Sequence, residues 1–152
     1  MLNEIIINGK KYLEQLNVHY NVIYNENDLK LKIKPNFKED EDERIYIISR
    51  VKNELIPLLK KDNNTRQACF SILYPNGLGH CISLIQILLR NKTIILNEYY
   101  RSQNYSINKK YDDQTAQLIV DEVLKSFKDY KTEINVFVAS YHEEIEWDLK
   151  NI

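Results

Sequence analysis

The stretch Gly79 to Asn104, GHCISLIQILLRNKTIILNEYYRSQN, decides the fold. Two apolar runs flank a polar tip, Arg90-Asn91-Lys92-Thr93, and that pattern predicts an antiparallel β-hairpin. A cysteine stands near one end and an Arg-Ser pair near the other. With Asn91 as the centre, Cys81 lies ten residues before it and Arg101 ten after. Symmetric pairing then sets the thiol opposite the guanidinium, with Cβ atoms about 4.5–5.5 Å apart. A guanidinium beside a thiol favours the nucleophilic thiolate. Its fork also suits a phosphate or carboxylate, which it meets with two parallel hydrogen bonds. Ser102 and Asn104 flank the same spot. A β-bulge would shift this register. The competing reading makes Cys81 a small core hydrophobe, the ordinary state of a cysteine in an apolar strand. Cys69, inside QACFSIL with no charge opposite, reads as core.

Outward from the hairpin, residues 16–25 and 29–34 alternate or run apolar around Asn25-Glu26-Asn27-Asp28, which predicts a first hairpin. The acidic patch Glu39-Asp40-Glu41-Asp42-Glu43 reads as a solvated helix start, where acids suit the positive end of the dipole. Residues 43–61 carry apolar spacings of three and four, hence an amphipathic helix that Pro57 kinks or divides. Residues 67–74 read as a strand, and Pro75-Asn76-Gly77 as a turn. Residues 113–128 form a helix with Asp112 or Asp113 able to cap it. Residues 133–140 read as a strand and 142–150 as a closing helix. The expected class is α+β, a mostly antiparallel or mixed sheet covered by a few helices.

The bulk numbers narrow the function. A chain of 152 residues suits one domain with one core, so residues 1–152 read as a single unit. With 21 basic and 22 acidic side chains, nothing asks for nucleic acid or a membrane surface as partner. No apolar run reaches the roughly 18 residues of a membrane span. The start, MLNEIIINGKK, lacks the basic-then-apolar order of a signal peptide, so the expected location is cytoplasmic. Two cysteines offer neither a disulfide framework nor a metal spacing. Gly77-Leu78-Gly79 is too short for a phosphate-cradling loop and precedes a strand.

Three blocks in order resemble one family. ELIPLLKKDNNTRQACFSI, HCISLIQILLRNKTIILNEYYRSQN and YDDQTAQLIVDEVLKSF resemble the central part of thymidylate synthase, from Glu54 to about Leu124. Gln86 follows Cys81 by five residues, Arg101 by twenty and Asp112 by thirty-one, as in that family. FVASYHEEIEWDL resembles its later strand and His-containing region. The resemblance implies a thymidylate synthase-like fold and a pyrimidine nucleoside monophosphate, dUMP or dCMP, as partner. It makes Cys81 the nucleophile that adds to C6 and leaves C5 able to accept a methyl or hydroxymethyl group. It makes Arg101 and Ser102 phosphate ligands, with Asn104 and His142 also lining the substrate site. It implies a homodimer in which Arg66 crosses the interface to the partner's phosphate. Asp112 stands where thymidylate synthases keep an Asn that reads the ring edge; the cytidylate hydroxymethylases of the same superfamily carry Asp there. The other reading of Asp112 is a helix cap.

The departures are specific. The family's Pro-Cys-His is His80-Cys81-Ile82 here, the Gln before Arg-Ser is Tyr100, and the Asp after it is Asn104. Glu144 stands where the family's sugar-binding Tyr is expected. The implied one-carbon donor is methylenetetrahydrofolate, yet the family's folate-site glutamate and tryptophan have no counterpart in the matched region, and the family's folate-binding tail would lie beyond its end. The expected function is therefore a pyrimidine nucleotide-binding protein, with C5 methyl or hydroxymethyl transfer through Cys81. The alternative is a non-catalytic nucleotide sensor or interaction subunit. A third reading is an unrelated hydrolase pairing Cys81 with His142; a surface or capping role for His142 competes with that.

Overall fold

The computed structural model describes residues 2–73 and 79–145. The turn expected at Pro75-Asn76-Gly77 and most of the helix expected over 142–150 lie outside the described residues. One mixed sheet runs through the molecule. Its strands are β1 (Asn3–Ile7), β2 (Lys10–Val22), β3 (Cys69–Leu73), β4 (Gly79–Arg90), β5 (Thr93–Asn104) and β6 (Lys131–Ile145), in the spatial order β1-β2-β6-β5-β4-β3. Every neighbouring pair is antiparallel except β5 and β6, which are parallel and joined through α3 (Lys109–Leu124). A parallel pair needs such a crossover because a tight turn can only reverse the chain. The α+β class is as the sequence predicts.

The first hairpin is not where the alternation of 16–25 and 29–34 points. Its tip is Asn8-Gly9, both at positive φ (50° and 77°), and it joins β1 to β2. Asn-Gly is the residue pair a two-residue hairpin turn selects. Residues 29–34 form no strand; a short 3-10 turn, Glu26–Lys30, occupies the expected loop. The long hairpin β4–β5 is as expected, closed by Asn91 and Lys92 at φ 50° and 52°.

The helix expected over 43–61 begins earlier and has three parts: α1 (Lys38–Arg50), a π-helical turn (Val51–Leu55) and α2 (Ile56–Lys61). The cause is Pro57. It has no N–H to give and its ring crowds the preceding turn, so the helix widens just before it. Ile56 N–H bonds Val51 O, five residues back.

The core lies between one face of the sheet and the helices. Ile85 and Ile87 of β4, Ile94 and Leu96 of β5, and Ile134 and Val136 of β6 point inward. Ile47, Val51, Leu55 and Leu59, with Ala116, Ile119, Val120 and Val123 of α3, cover them. The opposite face is open and carries side-chain amides in a line across four strands. Asn21 Nδ2 donates to Asn135 Oδ1 (2.7 Å), Asn135 Nδ2 to Asn97 Oδ1 (3.1 Å), and Asn97 Nδ2 to Gln86 Oε1 (3.4 Å). Beside that line His19, Phe137 and Tyr99 stack across β2, β6 and β5 at 4.6 and 5.0 Å between ring centroids.

The tip of β4–β5 yields a prediction. Lys92 holds a left-handed conformation that disfavours a side chain by roughly 1–2 kcal/mol. Lys92→Gly creates the preferred Asn-Gly turn and raises stability by about 1 kcal/mol in denaturant unfolding.

Candidate functional site

The site stands at the far end of the β4–β5 hairpin, where the ladder is irregular. From Arg90–Thr93 to Leu84–Tyr99 the register is that of a two-residue turn, and extended unchanged it would set Cys81 opposite Ser102. A bulge at Ser83 shifts it, so Ile82 pairs with Tyr100. Continued by one residue, the shifted register brings Cys81 to Arg101, the pair expected from the sequence. The neighbouring strands are irregular at the same level. The β3–β4 register shifts between Ser71 and Leu73, the paired rows of β5 and β6 skip Arg101 and Ala139, and Asn17 of β2 takes φ 56°. The inward phase of β5, which runs Ile94, Leu96, Glu98, Tyr100, resumes at Gln103 instead of Ser102. Arg101 and Ser102 are thereby turned out together.

Three groups meet there. Ser102 Oγ–H donates to Cys81 Sγ at 3.6 Å, and Arg101 Nη1 donates to Ser102 Oγ at 3.4 Å. Cys81 is exposed, so the core reading of this residue fails. The core reading of Cys69 fails too: Ala68 just before β3 and Phe70 and Ile72 within it point inward and leave Cys69 exposed.

Asn104 and His142 continue the site as a pair across the parallel β5–β6 ladder. Asn104 Oδ1 accepts from Ser106 Oγ (2.8 Å), and its carbonyl accepts from Asn108 N–H just before α3 (2.8 Å). His142 does not begin a helix, because β6 runs on through Ile145. Its Nδ1 lies 3.2 Å from the Ser140 carbonyl and its ring meets the edge of Tyr12. Arg66 is not gathered with the others. It is exposed at the open face, and its carbonyl accepts from Gln86 Nε2 (3.2 Å). Gln86 stands five residues along β4 from Cys81, about 17 Å at strand rise.

Asp112 does not cap α3; Asn108 takes that position, and Asp112 lies in the first turn. Its side chain turns to the sheet, where Gln103 Nε2 donates to Oδ2 at 2.9 Å. Gln103 is buried and held from behind by Tyr20, whose hydroxyl donates to Gln103 Oε1 (3.2 Å) and to Asp113 Oδ1 (2.8 Å). Burial pushes the Asp112 carboxyl up to about 7, with Asp40 and Asp113 adding to the effect and Gln103 opposing it. Glu43 is raised to about 7 by burial and by Asp112 and Asp40. So the acidic patch is solvated only in part: Glu39, Glu41 and Asp42 are exposed, while Asp40 and Glu43 line a cavity of about 10 Å³ with Ile82, Tyr100 and Asp112. That is room for one water. Among the described residues no cluster of His, Cys, Asp and Glu has the geometry of a metal site, and no helix is long and apolar enough to cross a membrane.

Sequence reading missed Gln103, Tyr20, Glu43 and Glu98. The signal for Glu98 was present: in TIILNEYY it occupies an inward position of the strand alternation. Gln103 was hidden by the change of phase at Arg101–Ser102.

No protein-family model matches the sequence, and no curated protein matches it. Solved structures do. Thymidylate synthase from T4 phage superposes with a TM-score of 0.58 at 16% identity, over 76% of this chain and 49% of the phage chain. The thermostable thymidylate synthase A from Bacillus subtilis superposes with a TM-score of 0.64 at 11% identity, over 89% of this chain and 68% of that one. The fold is thymidylate synthase-like, as the three sequence blocks imply, and the chain spans about half the length of the phage protein.

The Gln103 contact generates a second prediction. Gln103→Leu removes the donor that holds the Asp112 carboxylate, so the Asp112 midpoint rises above about 7 in a carbon-13 side-chain titration. Stability falls by about 1–3 kcal/mol, because the Tyr20 hydroxyl and Asp112 lose a buried partner.

Proposed function

We propose that this protein binds a pyrimidine nucleoside monophosphate at the bulged ends of β4 and β5. The observation that carries the reading is the exposed chain of contacts Arg101–Ser102–Cys81, a guanidinium and a hydroxyl beside a thiol. Arg101 and Ser102 take the phosphate, which suits a planar fork and a hydroxyl donor. Asn104 and His142 stand on the next rows for the sugar. Asp112 faces the ring edge; as a neutral acid it donates to a ring acceptor and accepts from a ring N–H or amino group. It can so pair with N3 and the 4-amino group of a cytosine, or with the reversed pattern of a uracil.

The chemistry available is addition of a thiolate. Cys81 Sγ forms a bond to C6 and the C5–C6 π electrons move to C5 and the C4 substituent. C5 can then bond an electrophilic one-carbon unit at the methylene level, after which loss of the C5 proton and expulsion of Cys81 from C6 restore the ring double bond. A methyl product would also need a hydride and a hydroxymethyl product a water, both from outside this chain. Methylenetetrahydrofolate would supply that unit when bound. The cavity of about 10 Å³ lined by Asp112 admits a water but neither a pyrimidine nor a pteridine ring, so a base would reach Asp112 only once the side chains around it part. The groove of about 710 Å³ between the end of β2 and α3 is bordered by Asn21, Leu31 and Gln114, and not by Cys81 or Arg101. The second reading is a nucleotide sensor or interaction subunit that keeps these contacts without the transfer.

A second copy of the chain completes the reading. The open sheet face, with its amide line and the His19–Phe137–Tyr99 stack, suits a copy of itself, and Arg66 at that face would reach the partner's phosphate.

Titration calorimetry with dCMP, dUMP, CMP and UMP tests the site. At least one nucleotide binds, and Arg101→Ala weakens it about tenfold or more, the range for a charged hydrogen bond lost. Cys81→Ser leaves that affinity within a few-fold and abolishes any C5 transfer; an active Cys81→Ser variant refutes the nucleophile. No binding by any of the four refutes both nucleotide readings. For the assembly, wild type sediments as a dimer and Phe137→Asp, which sets a charge in the open face, as a monomer.

A further inference from the structure

Among the described residues Glu98 is the one carboxyl in the middle of the core face. Its row across the sheet reads Tyr20, Val136, Glu98, Ile85, Phe70. The side chain is fully buried under the helices, and neither carboxylate oxygen has a hydrogen-bond partner. No contact of the proposed nucleotide site uses it. An ionised carboxylate so placed would cost far more than a fold of this size can absorb, so the group stays neutral by keeping its proton.

The surroundings make ionisation harder still. Facing Glu98 are Glu43 from α1, Asp112 and Asp113 from α3, Tyr20 from β2 and Tyr100 from β5. Asp40 of α1 joins the same group through Glu43 and Asp112. The nearby cations are committed elsewhere. Arg44 donates to Thr115 Oγ1, Gln114 Oε1 and the Tyr111 carbonyl, and Lys109 to Asp113 at 2.5 Å. Burial, then Asp112, Asp113 and Glu43, push Glu98 well above the usual carboxylate range.

We infer that Glu98 is a proton-operated latch for the helical roof formed by α1, α2 and α3. While the acid holds its proton, the roof stays packed on the sheet. When the proton leaves to solvent, the carboxylate must be hydrated, and water reaches it only if α1 and α3 lift from the sheet. Asp112 rides on α3, so the same event moves the group that we read as the base-edge contact. The latch itself is independent of that reading.

The sign follows from the raised proton affinity. The folded protein keeps a proton that the open form releases, so opening becomes easier as pH rises from the ordinary carboxylate range toward the folded-state midpoint. One such proton makes the opening constant grow about tenfold per pH unit. Glu43 and Asp112 contribute equally in wild type and variants, so comparing variants isolates Glu98.

Amide hydrogen exchange between about pH 7.5 and 8.5, corrected for intrinsic rates, tests the latch in wild type, Glu98→Gln and Glu98→Met. The expected result is that protection of residues 38–61 and 109–124 falls about tenfold more per pH unit in wild type than in either variant. Equal slopes in all three proteins overturn the inference. Should both variants fail to fold, carbon-13 titration of wild type decides: a neutral Glu98 at pH 7.5 supports the latch, and an ionised one under a closed roof overturns it. Calorimetry with dCMP and dUMP on the same wild-type sample separates the two claims: a latch without binding removes the nucleotide reading alone, and binding with equal exchange slopes removes the latch alone.

Discussion

The register between β4 and β5 governs the site. A two-residue turn sets one pairing and a single extra residue, Ser83, sets another. The difference of one residue decides which side chain meets Cys81, because side chains alternate faces along a strand. The β3–β4 register shifts at the same level, between Ser71 and Leu73, while β5 and β6 keep one register on both sides of Arg101. A regular sheet of this sequence would leave Arg101 and Ser102 on opposite faces. The bulged one turns both out, and a guanidinium, a hydroxyl and a thiol come into contact.

Behind that exposed group stands a buried polar layer. Gln103, Tyr20 and Asp112 form a connected and satisfied network, whereas Glu98 beneath it has no partner. Core polar groups are generally paired, and the exceptions concentrate where a protein does something besides fold. Burial, reinforced by neighbouring carboxyls, pushes Glu43 and Asp112 up to about 7 and Glu98 well above the usual carboxylate range. The polar layer thus links the helices that cover the sheet to the residues that would meet a ligand.

Much of the fold was legible because the strongest patterns are local. The paired apolar runs around Arg90–Thr93 and the periodicity of α3 each carry their own signal. The first hairpin was misplaced because alternation continues through residues 16–25, while the decisive signal was the Asn8-Gly9 pair. Residues 142–150 read as a closing helix, but pairing with β2 and β5 extends β6 through His142 to Ile145, a tertiary effect that no local pattern contains. The pairing of Cys81 with Arg101 was expected by counting from Asn91. The ladder is paired as far as Ile82 and Tyr100, where the bulge at Ser83 has taken back the one residue of register that the two-residue turn had added. Asp112 left two readings open in the sequence, and the contact with Gln103 decides against the cap.

The central claim is that the ends of β4 and β5 form a phosphate and pyrimidine site beside a thiol. A crystal structure of the protein grown with dCMP or dUMP tests it most directly. The expected result is phosphate oxygens on Arg101 and Ser102, the ring edge at Asp112 and Cys81 Sγ next to C6. A nucleotide seated in the groove between β2 and α3, with Arg101 and Cys81 untouched, would contradict it.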